Sequence, residues 1–176
     1  MLPLILLLAC RPVYTHAQLN DNAGAELQVY PAGIILGIQG GLNIGSGHEL
    51  QLRVGYNITD RGDFGEHDEE EGGGPGAGLG YRHFLENTLT GLFLGGRADI
   101  WFMDIDWRDE SPTRFGSSQI TVLQPTIEAG YDFLQNSSWK LMTTISFGFE
   151  INVRTEGEEV GEGAIFLGGL NVGYRF

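Results

Sequence analysis

The chain is short of nearly everything that marks a disulfide-stapled, nucleic-acid-binding or helical membrane protein. Its 176 residues contain a single cysteine, Cys10, which excludes a disulfide scaffold and a zinc-finger module. Lysine occurs once, at Lys140, and Lys and Arg together number ten against twenty-three Asp and Glu, a formal charge of −13. No basic run exists to neutralise phosphates, so nucleic acid is not an expected partner. No apolar run reaches the roughly eighteen residues of a spanning helix, so any membrane insertion must be by strands. What is abundant is glycine, twenty-eight residues without a Gly-X-Y period, beside a hydrophobic share of 41%. That pairing disfavours collagen and disorder and leaves a glycine-rich all-β domain. The length suits one domain with a real core and is too small for two.

Residues 2–9, Leu-Pro-Leu-Ile-Leu-Leu-Leu-Ala, form an apolar stretch too short to span a bilayer and of the right length for a signal-peptide h-region. Thr15-His16-Ala17 places small residues three before and one before a cut at Gln18. Residues 1–17 are therefore expected to be a signal peptide and 18–176 the mature chain, although no basic n-region precedes the apolar stretch. Leu7-Leu8-Ala9-Cys10 offers a second reading as a lipobox with lipidation at Cys10, in which Leu8 is not the usual small residue.

From residue 33 onward the dominant pattern is strict period-2 alternation broken by turn residues. Leu50, Leu52, Val54, Tyr56 and Ile58 share one face, with Gln51, Arg53, Gly55 and Asn57 on the other. At a 41% apolar frequency, five of five on one face arises by chance about 1% of the time. Residues 139–154 and 89–103 repeat the pattern. The alternation predicts strands near 24–30, 33–45, 49–60, 75–85, 89–106, 119–134, 139–154 and 162–176. If Pro31-Ala32-Gly33 is a bend within one strand, the count drops from eight to seven. From the second strand onward, short connections alternate with longer ones at 61–74, 107–118 and 155–161, as in an up-and-down barrel with one exposed end.

Alternation alone does not say which face is inside. With one lysine in the chain, the polar face looks unlike a solvated exterior. Its Arg53, Arg82, Arg97 and Arg175 suit a confined network with Asp99, Glu128 and Glu150. Glycines at 37, 55, 76, 78, 80, 148, 169 and 173 on that face leave room for long side chains. Tyr56, Tyr81, Trp101, Tyr131, Trp139 and Tyr174, near strand ends, fit interfacial girdles. The fold class is thus all-β, an up-and-down antiparallel transmembrane β-barrel of eight strands.

The last strand alternates Leu170, Val172, Tyr174 and Phe176 with Asn171, Gly173 and Arg175, and Gly80-Tyr81-Arg82-His83-Phe84 has a related pattern. In these residues the chain resembles the small outer-membrane β-barrel family of Gram-negative bacteria, over roughly residues 24–176. The resemblance implies an outer-membrane location, with contacts to outer-membrane lipid and lipopolysaccharide. It also implies that Tyr174 and Phe176 act as an insertion signal read by the barrel-insertion machinery. A monomer without cofactor or metal is expected.

Asp60 to Glu71 holds seven acids. Asp63, Glu66, His67, Asp68, Glu69 and Glu70 are candidate ligands for a divalent cation, since oxygen ligands suit Ca²⁺ or Mg²⁺. The spacing matches no EF-hand loop, and a solvated, mobile acidic loop is the expected state. Some members of the family are lipid-modifying enzymes that use a His with a Ser and an acid at the outer rim. The corresponding candidates are His67, Ser117 or Ser118, and Asp104 or Asp106, none in a Gly-x-Ser-x-Gly setting. His48 and His83 fall near short turns on the opposite side. Trp107 is expected to anchor at the outer interface or to touch a partner. An eight-stranded interior is just wide enough for side chains to fill, so a plugged core is expected over an ion-gating one. The expected role is non-enzymatic, in surface interaction or envelope maintenance. The alternatives are a lipid-modifying enzyme and a soluble periplasmic lipocalin-like carrier.

Overall fold

A computed structural model describes residues 21–62, 65–86, 89–134 and 137–176. The expected signal peptide, Cys10 and Asp63 lie outside these residues. Eight antiparallel strands follow one another round a closed ring: β1 (Asn22–Tyr30), β2 (Gly33–Gly45), β3 (His48–Asp60), β4 (Glu69–Phe84), β5 (Gly91–Glu110), β6 (Thr113–Asp132), β7 (Trp139–Glu156) and β8 (Gly163–Arg175). Pro31 and Ala32 form a turn between two strands, so the count is eight. The ring closes where β1 pairs with β8, from Asn22 opposite Arg175 to Val29 opposite Gly168. Closure satisfies both edges of the sheet, which is what a sheet surrounded by lipid requires.

The barrel is polar within and apolar without. Along β3 the inward Gln51, Arg53, Asn57 and Thr59 are buried, while Leu50, Leu52, Val54, Tyr56 and Ile58 face outward and are exposed. The same holds on β7, where Ile145, Phe147 and Phe149 are outside and Thr144, Ser146 and Glu150 inside. An apolar belt of this extent far exceeds the few hundred Å² a water-soluble monomer exposes. Tyr56, Tyr81, Tyr131, Trp139 and Tyr174 stand in it as expected. Trp101 does not: it faces the lumen, fully buried, and its indole Nε1 donates to Gln124 Oε1 at 2.6 Å.

The strands are unequal, and here the structure departs from the expected boundaries. β1 has nine residues and β5 and β6 have twenty each. The expected loop at 107–118 is a two-residue turn, Ser111-Pro112, at the tip of a hairpin whose register runs unbroken to Glu110 opposite Thr113. β4 likewise starts at Glu69, so the Gly72-Gly73-Gly74 run belongs to a strand. The reason is physical. Apolar alternation is imposed only where one face meets lipid, whereas the backbone ladder continues above the membrane, where both faces can be polar. Twenty residues at about 3.3 Å each, tilted by about 40°, rise roughly 50 Å, so on the order of 20 Å stands clear of an apolar band of about 25 Å.

Placing a charge on the belt tests this arrangement. Ile145, 58% exposed near mid-strand, should lose about 2–4 kcal/mol of stability on Ile145→Arg, read from urea unfolding of the barrel in lipid vesicles. A neutral or stabilising effect would mean that this face meets water.

Candidate functional site

Inside the ring, three layers lie between the end that carries the termini and the end that carries the loops. Nearest the termini, Lys140 Nζ donates to Glu49 Oε2 at 2.9 Å, Arg82 Nε to Glu128 Oε1 at 2.6 Å, and Arg175 pairs with Asp132. Phe84, Phe93, Leu89 and Met142 pack beside these charges, and Arg82 lies over the Phe93 ring at 4.7 Å. The middle layer is a four-membered lattice. Arg53 reaches Glu26 at 3.0 Å and Asp99 at 2.7 Å, and Arg97 reaches the same two acids at 3.3 and 3.0 Å. All four side chains are buried, and each charge has two partners of opposite sign, the condition under which buried ions are tolerated. Gly78 makes the lattice fit, because a Cβ there would overlap the Asp99 carboxylate. The third layer is apolar: Ile35, Trp101, Met103, Ile105, Ile120, Val122 and Leu167 pack across the lumen.

Of the residues expected in the lumen network, Arg53, Arg82, Arg97, Asp99 and Glu128 meet in these two polar layers. Glu150 is elsewhere, paired with Arg61 beneath the loops. Lys140, the one lysine of the chain, completes the layers together with Glu26, Glu49 and Asp132, three acids that the sequence does not single out. Glu26 and Gln28 alternate with apolar neighbours, but β1 is too short for that to stand out.

At the loop end the chain folds over the barrel. The acidic loop, expected to be solvated, is anchored at its described residues 65–68 through Glu70, which is fully buried. Glu70 accepts from Arg61 Nη1 at 3.2 Å, from the Glu66 and His67 amides, and from the Gly161 amide at 3.0 Å. The expectation fails because Glu70 falls on the inward side of β4, where period 2 sends Glu69 and Glu71 outward. Trp107 also points inward and is buried, not anchored at an interface, and stacks on His67 with ring centroids 4.1 Å apart. His67 Nδ1 lies 2.9 Å from Asp109 Oδ1, and Nε2 lies 3.1 Å from the Glu159 carbonyl oxygen. Arg114 joins Asp109 at 3.1 Å and Glu158 at 3.4 Å. One imidazole therefore ties the β3–β4 loop, the β5–β6 hairpin and the β7–β8 loop together.

The candidate cation ligands among the described residues do not converge. Glu66 and Glu69 are exposed, Asp68 accepts from the Glu110 amide, and Glu69 lies 3.5 Å from Arg108. Among the described residues no group of three or more His, Cys, Asp and Glu is placed to hold a metal ion. The candidate catalytic residues likewise share no side-chain hydrogen bond and lie on different faces of the wall. Asp104, Asp106 and Ser117 face outward, and the Ser118 hydroxyl donates to the Glu158 carbonyl while His67 is engaged with Asp109 and Glu159. Tyr174 and Phe176 lie exposed at the terminal end, where the Phe176 amide donates to the Asp21 carbonyl. His48 and His83 stack there at 4.6 Å.

An inside-out ring of eight strands, polar within and apolar without, defines a class by its architecture, the small transmembrane β-barrels. The solved structures that the chain resembles belong to that class. A major outer membrane protein from Thermus thermophilus is 14% identical with a TM-score of 0.63, over 92% of this chain and 100% of that one. The N-terminal β-barrel domain of Pseudomonas aeruginosa OprF is 18% identical with a TM-score of 0.53, over the same shares of each chain. Ail, the attachment invasion locus protein of Yersinia pestis, solved with the heparin analogue sucrose octasulfate, is 10% identical with a TM-score of 0.50, over 89% of this chain and 97% of that one. No protein-family model matches the chain, and no curated protein is similar to it in sequence.

Two outcomes are expected from these contacts. Arg97→Leu strands Glu26 and Asp99 with half their counter-charge and should cost about 3–5 kcal/mol in the same unfolding measurement. At the loop end, the hydrogen bond with His67 leads in holding the Asp109 carboxyl below its ordinary range, with Arg114 adding to it. The contribution of that depressed carboxyl to loop closure is present above the ordinary Asp value of about 3.9 and is lost as pH falls through its lowered value. Protection of the amides at 65–68 and 157–161, measured relative to the intrinsic exchange rate at each pH, should therefore fall on acidification through that range. It should already be low at neutral pH in His67→Ala.

Proposed function

We propose that the protein is a non-conducting, non-enzymatic outer-membrane barrel whose role is contact at the cell surface. The single observation that carries this reading is the pairing of a filled lumen with a tall β5–β6 hairpin. Charged and apolar layers occupy the interior, while about twenty ångströms of wall stand above the membrane with no lipid to face. Solubility alone does not call for that extension. Its outer surface has a definite character. Asp60, Glu71 and Asp106 stand in one cross-strand row, ending at Ser117. Phe115, 81% exposed, flanks an open groove of about 800 Å³ lined by these acids and by Glu69 and Arg108. Like charges directly opposite one another destabilise a sheet, so such a row suits a surface that meets a basic partner.

Conductance and adhesion test the two halves of the reading. In planar bilayers the purified barrel should give no sustained conductance steps, and regular steps would sink the closed-lumen reading. Cells displaying the protein should adhere to polylysine-coated beads severalfold better than cells displaying the Asp60→Asn, Glu71→Gln, Asp106→Asn variant. Equal adhesion would remove this row as the contact. A lipid A profile that changes with expression of the protein would replace the reading with an enzymatic one.

A further inference from the structure

The wall of the barrel has a notch. β1 ends at Tyr30 and its pairing with β8 stops at Val29 opposite Gly168. On its other side β8 continues against β7 up to Gly163 opposite Glu150, so residues 163–167 have a strand neighbour on one side only. Beyond the short β1–β2 hairpin the next strand is β3, whose Asp60 amide donates to the Ala32 carbonyl at 2.7 Å. A gap one hairpin wide is left in the wall above Pro31-Ala32. Arg61, just past the end of β3, reaches across it to the Gly161 carbonyl and to Glu150 Oε2.

A cavity of about 380 Å³ occupies the notch. Its floor is the turn at Pro31-Ala32, its wall Ile165 and Phe166, and the inward-facing Arg61 and Glu150 stand behind. Nine residues of β1 rise roughly 23 Å at a tilt of about 40°, close to the height of an apolar band of about 25 Å. The floor is therefore level with the membrane interface. Beside it Phe166 and Phe147 face outward, exposed, and continue the apolar belt downward from the opening. Glu150 is 8% exposed, and its Oε1 has no hydrogen-bond partner. Of the residues lining the cavity Arg61 is the only cation, and it is shared between Glu150 at 3.3 Å and Glu70 at 3.2 Å. Glu162 adds another carboxylate to the lining.

We propose that this notch is a binding site for a cationic single-chain amphiphile, with its ammonium group on Glu150 and its alkyl chain along Phe147 and Phe166. The charge balance selects the head group: one guanidinium shared by two buried acids leaves surplus acceptor capacity and surplus negative charge, which repels a carboxylate or phosphate head. The opening selects the tail, because a site reached sideways at the interface lets the chain stay in lipid while only the head enters the wall. This site is separate from the surface contact proposed above and stands if that reading fails.

The test uses the full folded protein in nanodiscs of zwitterionic lipid, labelled with a diazirine-bearing dodecylamine and mapped by mass spectrometry. Labelling should concentrate on residues 30–32 and 161–166, and dodecylamine should compete while dodecanoate and dodecanol do not. Glu150→Gln should reduce labelling at least tenfold. Ala164→Trp, which keeps the carboxylate and fills the notch from its lining, should do the same, with the heat-dependent shift of mobility in SDS showing that the ring is closed. If Glu150→Gln fails to close, Ala164→Trp decides. Labelling spread evenly round the belt, equal competition by dodecanoate or dodecanol, or undiminished labelling in a folded variant would overturn the assignment.

Discussion

Everything in this molecule depends on the requirement that a backbone surrounded by hydrocarbon leave no peptide group unpaired. A sheet meets that requirement only by closing on itself, and the eight pairs between β1 and β8 are the closure. Once the ring is shut, outside and inside exchange their usual chemistry. Leucine, isoleucine and phenylalanine go to the lipid, and the interior receives what lipid will not accept. An eight-stranded ring is too narrow to hold a free water column beside Arg and Glu side chains, so these must neutralise one another. The lattice of Arg53, Arg97, Glu26 and Asp99 is thus a consequence of closure as much as a contribution to stability.

The charged lattice occupies only part of the interior. Toward the loop end the lumen turns apolar, with Trp101, Met103 and Ile105 facing Leu167 and Val122. This layer begins within the belt, since the outward neighbours of Ile35 and Trp101, namely Ile34, Leu36, Ile100 and Phe102, are exposed apolar residues. It gives the loops an apolar floor to fold onto. Trp107 gives His67 an apolar face to stack on, and Glu70 gives the amides of two loops a common acceptor.

Legibility in the sequence follows the same division. Where lipid meets one face, as in β3 and β7, the pattern of alternation places strand, face and neighbour correctly, and the arginines of the lumen stand out because they fall among glycines and outward apolar residues. Above the membrane that signal ends. Residues 107–118 carry no alternation, and the hairpin there is set by cross-strand register, which no local pattern records. Trp101 reads as a girdle residue because an aromatic near a strand end suits either face, and only its parity with Asp99 and Met103 puts it inside. Glu70 is lost in a run of acids, though period 2 separates it from Glu69 and Glu71. Arg61 carries no signal of its own, since its partners Gly161 and Glu150 lie some ninety to a hundred residues away.

The unequal strands give the barrel a lopsided skyline. At β1 the wall is nine residues tall and stops close to the height of the apolar band, while at β5 and β6, across the ring, it is twenty residues tall. The extra length meets water and asks nothing of the bilayer. Whatever moves in the plane of the membrane therefore finds a low sill on one side of this protein and a parapet on the other.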